Sequence, residues 1–268
     1  MTAVDARGVP GALFGSIAGV GARLVSWDDA IRRPVGAVHR IGFVQLVAGV
    51  GATTLAAEVV RVVAARRTGP LLAIDLSDDG GLANRLGVDE AAVRGDGRAV
   101  RTSADAAASL QRIAASTWGA RPSDAAAHPV AAWAQQVAPV MRFHELLVAD
   151  FGPRDPQGDL AGAAALCDVV CLVAPAERGA GERARVLAEA ITEMPEHPRA
   201  VVALVDAGRA SRRVPAVIAA QTAHPVILIP HDAGLRSGGP ARGLRARQAI
   251  LHLTSLLVGE STPPESGA

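Results

Sequence analysis

The chain has 268 residues, half of them apolar and a fifth charged, with a formal charge of +1 at pH 7. That length fits one large α/β domain or two small ones and supplies enough apolar material for a substantial core. All positive charge sits on arginine, no lysine occurs, and acids nearly balance it, so nothing in the composition advertises a nucleic-acid-binding surface, and a local arginine patch is as much as it leaves room for. Tyrosine is absent and aromatics are 3% of the chain, so helices must pack through small side chains. Arginine for lysine and abundant alanine point to a GC-rich genome, a matter of codons rather than of function.

In chain order, residues 1–37 mix Gly and Pro with scattered apolar groups and read as a loosely ordered arm that docks through Trp27 and Ile31. The apolar run 13–25 contains glycines and Arg23 and lacks a small-residue cleavage site. It makes a poor signal peptide and is too short to span a bilayer, so a cytoplasmic location is expected. From Arg40 onward apolar runs alternate with amphipathic stretches, the pattern of a parallel sheet covered by helices. Strands are predicted over 41–47, 70–75, 145–150, 168–174, 200–206 and 226–229. Helices are predicted over 53–67, 81–86, 103–118 with Ser103 as N-cap, 129–143, 179–194, 214–220 and 241–258. Residues 88–101 and 119–128 read as surface loops. One doubly wound α/β domain over 38–258, with helices on both faces of a mainly parallel sheet and a frayed tail over 259–268, is the expected architecture.

Cys167 and Cys171, at the edge of and within the strand predicted over 168–174, stand roughly 13 Å apart if extended at about 3.3 Å per residue, too far to bridge. They read as core. The seven histidines show no metal-ligand spacing and no nucleophile elbow appears. The last helix carries Arg242, Arg245 and Arg247 near its start, a solvated basic turn on a packed helix rather than a membrane anchor.

Chemistry concentrates where predicted strands end. The first turn reads Val47-Ala48-Gly49-Val50-Gly51-Ala52-Thr53-Thr54. Glycines there let successive amides and a helix N-terminus face an anion, and a hydroxyl at the helix start can ligate magnesium. The same Gly-x-Gly-x-x-Thr also approximates a dinucleotide fingerprint with Asp75 placed for a ribose, and it is equally compatible with a plain tight turn. A second segment runs Asp75-Leu76-Ser77-Asp78-Asp79-Gly80-Gly81. A third, Leu146 to Gly152, is an apolar strand ending in Asp150, suited to hold a magnesium-bound water. A fourth runs Ile229 to Gly239.

Taken together and in order, these four segments resemble the MinD/ParA group of deviant Walker ATPases. The turn resembles their K-G-G-V-G-K-T-T, Asp75 to Gly81 resembles D-x-D-P-Q-G-G, Asp150 matches the Walker B acid and Ile229 to Gly239 is similar to "VPYDPALR". Ile31-Arg32-Arg33-Pro34 resembles the lead-in of actinobacterial members found with type VII secretion systems. The resemblance spans about 31–258 and implies a P-loop nucleotide site at Gly49, Val50, Gly51, Ala52, Thr53, Thr54, Asp75 and Asp150, with magnesium at Thr53 and Asp150.

The departures from that pattern bear on mechanism. The lysine that crosses the family's nucleotide-sandwich dimer aligns with Val47 and the phosphate-contacting lysine with Ala52. The water-orienting second acid aligns with Ser77, and an adenine-reading asparagine is replaced at Val205-Asp206. The resemblance therefore implies a pseudo-ATPase with at most weakly bound ATP or ADP and magnesium. It would work through protein partners as a homodimer, or as a heterodimer with an active family member, with no specific nucleic acid and no more than peripheral membrane contact. Two alternatives stay open: a slow ATPase in which Arg209 or Arg236, which follow strands near the ligand edge as Arg40 does not, or a partner's residue replaces the lysine, and a dinucleotide-binding oxidoreductase built on Gly49, Gly51 and Asp75.

Overall fold

The computed structural model describes residues 10–89, 100–125, 127–156, 158–208 and 213–259. Its centre is an eight-stranded sheet: β1 (His39–Gln45), β2 (Leu71–Asp75), β3 (Gln111–Ala114), β4 (Thr117–Ala120), β5 (Leu146–Pro153), β6 (Val169–Pro175), β7 (Arg199–Val205) and β8 (Val226–Ile229), in the order β3-β4-β2-β5-β1-β6-β7-β8. Every neighbouring pair is parallel except the β3–β4 hairpin. The doubly wound, mainly parallel α/β architecture expected from the sequence is the one observed.

Parallel strands covered on both faces need apolar residues at consecutive positions, and β5 is buried from Leu146 to Gly152. Alternate side chains then enter two separate cores. Ile41, Phe43, Val148, Val169 and Cys171 meet α2 (Ala52–Ala64) and α11 (Leu244–Val258) on one face. Val44, Leu147, Phe151, Val170 and Leu172 meet Trp133, Leu160, Ala184 and Ile218 on the other. That second face is covered by α7 (Leu160–Ala165), α8 (Arg178–Thr192), α9 (Arg213–Ala219) and the 129–141 segment. Both cysteines are free and fully enclosed, and burial raises both thiols far above the ordinary range, so they are packing residues.

Three stretches depart from the predicted elements. The predicted helix over 103–118 stops early: α4 (Ser103–Ala108) is capped by Thr102, not Ser103, in a reciprocal capping box with Asp105. The rest of it turns into β3 and β4, because Ile113, Thr117 and Trp118 favour a pleated surface and Leu71 and Leu72 of β2 offer Thr117 and Trp118 a parallel partner. The predicted helix over 129–143 is interrupted. Between α5 (Pro129–Ala132) and α6 (Ala138–Met141) lies a π-turn, Trp133–Val137, where Ala138 donates to the Trp133 carbonyl and Pro139, lacking an amide, follows.

Of the stretch 1–37 expected as a loosely ordered arm, residues 1–9 lie outside the described residues and most of the rest is a helix, α1 (Pro10–Arg32). It lies along α11, with Ile31 fully buried and Trp27 stacked on His252 at 4.3 Å between ring centroids. Arginine anchors its end: Arg66 pairs with Asp28 at 2.8 Å, and Arg67 donates to the Ile31 carbonyl at 2.9 Å and to that of Arg33. The expected tail lies outside the described residues beyond Gly259, as do 90–99 of the expected loop 88–101. Among the described residues no helix is long and apolar enough to cross a membrane.

Candidate functional site

Strand order brings the carboxyl ends of β1, β7 and β8 and the loop after β2 around one cleft of about 590 Å³. Its floor is the first turn. Gly49 and Gly51 have φ of +77° and +106°, a region that a side chain at either position would strain, and a Cβ there would project into open space. Gly51 caps α2 with no side-chain hydrogen bond, so the amides of the first helical turn are left to the cleft, where a helix N-terminus favours an anion.

Of the residues predicted for the site, Gly49, Val50, Gly51, Thr53 and Thr54 line this cleft. Ala52 does not; its methyl is fully buried beneath the turn within the α2 core. Asp75 does not either. One of its oxygens accepts from the Ser77 amide at 3.0 Å and hydroxyl at 2.6 Å, and the other from the Ala83 amide at 2.7 Å, which ties the loop to α3 (Gly81–Leu86). A carboxylate so engaged is turned away from any ribose in the cleft, and the dinucleotide reading loses its acid.

Asp150 lies beside Asp75 across the β2–β5 register and is completely buried. Oδ1 accepts from the Gly152 amide at 3.0 Å, while Oδ2 has no hydrogen-bond partner. Burial pushes this carboxyl up to about 6, against the Thr53 hydroxyl and the Gly152 amide, which favour the charged form, and with help from the negative charge of Asp75 and Asp79. The Thr53 hydroxyl is near enough to bias the group without completing a bond to Oδ2. An orphaned, enclosed carboxylate oxygen beside a hydroxyl at a helix start fits a hydrated magnesium ion, whose remaining ligands are water and phosphate. Among the described residues no three His, Cys, Asp or Glu side chains are grouped to hold a metal unaided, so that ion would depend on the ligand's own oxygens.

Several lining residues were not singled out from the sequence. Asp79 enters the cleft, its Oδ1 accepting from the Ser77 hydroxyl at 3.0 Å and the Gly81 amide at 3.2 Å. Gly81 is needed there, since a Cβ would lie 2.9 Å from the Thr53 methyl. Arg85 lines the wall and donates to the Gly238 carbonyl at 2.6 Å. Asp232 caps α10 (Ala233–Arg236), its Oδ1 accepting from the amides of Gly234 at 2.8 Å and Leu235 at 3.1 Å, and its Oδ2 from that of Gly243 at 2.7 Å. The distal walls are apolar, formed by Leu55, Val205, Ile229 and Leu235, with Asp206 at the edge. Of the two arginines weighed as substitutes for lysine, Arg236 lines the cleft and Arg209 lies outside the described residues; Arg40, set apart from them, is forked onto Asp168 at the opposite end of β1.

Comparison with known proteins places this arrangement in a class of fold. The sequence matches no family model and no curated protein. Solved structures do match. The ParA family ATPase from Chlorobium tepidum aligns over 81% of this chain and 97% of its own at a TM-score of 0.62 and 17% identity. The MinD cell division protein of Aquifex aeolicus aligns over 84% and 99% at 0.60 and 18%. Cobyrinic acid a,c-diamide synthase of Mycobacterium smegmatis, solved with an ATP analogue and magnesium, aligns over 81% and 93% at 0.57 and 18%. The chain has the MinD/ParA type of P-loop fold, and the resemblance read from four sequence segments agrees with it.

Proposed function

We propose that this chain is a MinD/ParA-type pseudo-ATPase, a scaffold that holds a nucleotide weakly and does not turn it over. On this reading the amides from Gly49 to Thr54 receive the phosphates, and Thr53 and Asp150 hold magnesium, which when bound neutralises phosphate charge. The observation that carries the proposal is Ala52. Its buried methyl stands at the first position of α2, where the fold would offer a cation to the phosphates, and Val47, 43% exposed, supplies none either.

Magnitudes separate binding from turnover. A hydrogen bond to a charged group contributes about 1.5–3 kcal/mol, so its loss weakens binding roughly tenfold to a hundredfold. A cation at the transferring phosphoryl group is worth about 10³–10⁵ in rate, and here two candidates are missing together. The matching acid position is Ser77, whose hydroxyl is committed to Asp75 and Asp79. Such a protein acts by binding other proteins: a regulatory or scaffolding role in a cytoplasmic secretion, partition or positioning system, of which actinobacterial type VII secretion is the sequence-level favourite. Any homodimer, or heterodimer with an active relative, would form without the cross-dimer lysine and so should not need nucleotide in the usual way.

A second reading, a slow ATPase, draws on Arg85 and Arg236 lining the cleft. Phosphate release by purified protein, with Asp150→Asn as control, separates the two. Activity that Asp150→Asn abolishes would refute the pseudo-ATPase, whereas background rates with measurable magnesium-dependent nucleotide binding support it.

A further inference from the structure

Resting on the nucleotide-holding reading above, we infer that Asp79 is an outer-sphere acid of the magnesium site, accepting from a water on the ion, and that the cleft takes a nucleotide only as its magnesium complex. Ser77 stands where the resemblance places an acid, and its hydroxyl leads on to Asp79, two residues further along the loop.

The Asp79 carboxylate is held by one oxygen and open at the other. Oδ1 accepts from the Ser77 hydroxyl at 3.0 Å and the Gly81 amide at 3.2 Å, while Oδ2 has no partner among the described residues and the side chain is exposed on the cleft lining. Two bonds on one oxygen fix the direction of the group, and the second oxygen keeps its lone pairs for a donor. Its place is beside the residues that fit magnesium. A Cβ at Gly81 would lie 3.2 Å from Asp79 Oδ1 and 3.5 Å from the Thr53 hydroxyl, so both oxygens border one point of the floor. The Thr53 hydroxyl in turn neighbours Asp150, whose Oδ2 is buried without a hydrogen-bond partner and whose carboxyl feels the charge of Asp79.

Charge makes the ion necessary. Asp75, Asp79 and Asp150, in a chain without lysine, leave this floor negative, and a nucleotide brings further negative charge. With Val47 and Ala52 supplying no cation, a divalent ion is what joins the two. Magnesium bound through carboxylate and phosphate oxygens keeps several of its waters, and those waters need acceptors. Among the described residues the acids are not grouped closely enough to chelate an ion directly, which fits an acceptor one water removed. Asp78, the neighbour with the same charge, is exposed and does not line the cleft.

The test is calorimetric titration of the full chain with ATP in excess magnesium and again in EDTA, on the wild type, Asp79→Asn and Asp78→Asn. Asparagine at 79 keeps an acceptor for Ser77 and Gly81, and thermal melting checks that the fold is kept. The wild type should bind ATP far more weakly in EDTA than in magnesium. Asp79→Asn should weaken binding in magnesium by about tenfold, the scale of an outer-sphere partner, and should not weaken it in EDTA, where the lost charge no longer repels the phosphates. Asp78→Asn should match the wild type in both. Wild-type binding as tight in EDTA as in magnesium, magnesium-complex binding unchanged in Asp79→Asn, equal weakening by the two variants, or equal weakening with and without the ion overturns the inference and leaves the nucleotide-holding reading standing. Wild-type protein that binds no nucleotide at millimolar concentration overturns both.

Discussion

At the amino-terminal ends of β1, β5 and β6 the arginines are paired, whereas at the carboxyl-terminal ends a carboxylate is left incomplete. Arg40 forks onto Asp168 at 2.6 and 3.1 Å, with the Arg40 amide adding a third bond at 2.8 Å, and Arg67 reaches both Glu145 at 3.0 Å and the end of α1. At the other edge Asp75 is enclosed by its own loop, Asp150 keeps one oxygen without a partner, and the glycine turn carries no cation. Against the paired arginines of the opposite edge, an orphaned buried oxygen at the cleft marks a position that a ligand would complete.

The largest expected effect is at the paired edge. Ile31→Ala should cost about 2–4 kcal/mol, because Ile31 is fully buried where α1 joins the body and its removal leaves a cavity that rigid neighbours cannot fill. Urea denaturation measures it. A cost under about 1 kcal/mol would show that α1 is an appendage and that the contrast between the two edges begins only at β1.

Asp150→Asn should act in the opposite direction. The folded carboxyl is raised to about 6 against an ordinary 3.8, so its favoured neutral form is fully present below pH 3.8 and is lost as pH rises through 6. The wild type is then penalised at neutral pH by up to about 2–3 kcal/mol, which Asn, with no charge to bury, avoids. The variant should melt higher than the wild type at pH 7 and alike at pH 4. A variant less stable at pH 7 would mean that the orphaned oxygen costs the fold nothing.

Six of the seven strands in parallel pairings, all but β4, were legible because apolar runs of four to eight residues between turn signals have few other folds to serve, and the glycine turn was legible because two glycines before Thr53 have a backbone reason. What escaped depended on tertiary pairing. Ala104, Ala106, Ala107 and Ala108 read as the start of a long helix, and only the offer of a β-edge by Leu71 and Leu72 converts Thr117 and Trp118 to strand. Trp27 and Ile31 were read as docking residues, but nothing local in a Gly-rich stretch reveals the α11 surface that supports a helix there. At the site, Asp79 enters the cleft from the β2–α3 loop and Arg85 from α3 behind it, a placement set by the shape of that loop, which the sequence does not encode by spacing. Asp75, the strand-end acid that local pattern favours, is taken by the amides of that same loop.

Arg40→Ala tests the paired edge more mildly. Both partners are about a third exposed, so solvent screens the fork, and about 1–2 kcal/mol is expected, within reach of salt. Raising ionic strength should narrow the gap between variant and wild type; a gap indifferent to salt would assign the loss to packing of the arginine stem.

The smallest effect lies where α1 meets α11. Burial first, and then the nearby positive charge of Arg23, lowers the His252 pKa below its ordinary 6.5, while the ring stacks on Trp27 within 13° of parallel. The unfolded chain therefore takes up a proton that the folded one resists. The stability of this contact is full above about pH 6.5 and falls as pH drops toward the folded value. His39 and His144 are lowered by burial too, so the whole protein weakens in acid for more than one reason. His252→Phe isolates the contribution of one ring, since it keeps the stack and removes the proton. The difference in urea midpoint between variant and wild type should grow in the variant's favour from pH 7 to pH 5, and only slightly, because solvent still reaches part of the ring. A difference that stays constant over that range would show that acid loosens the fold elsewhere and that the α1 contact is held by its apolar and arginine anchors alone.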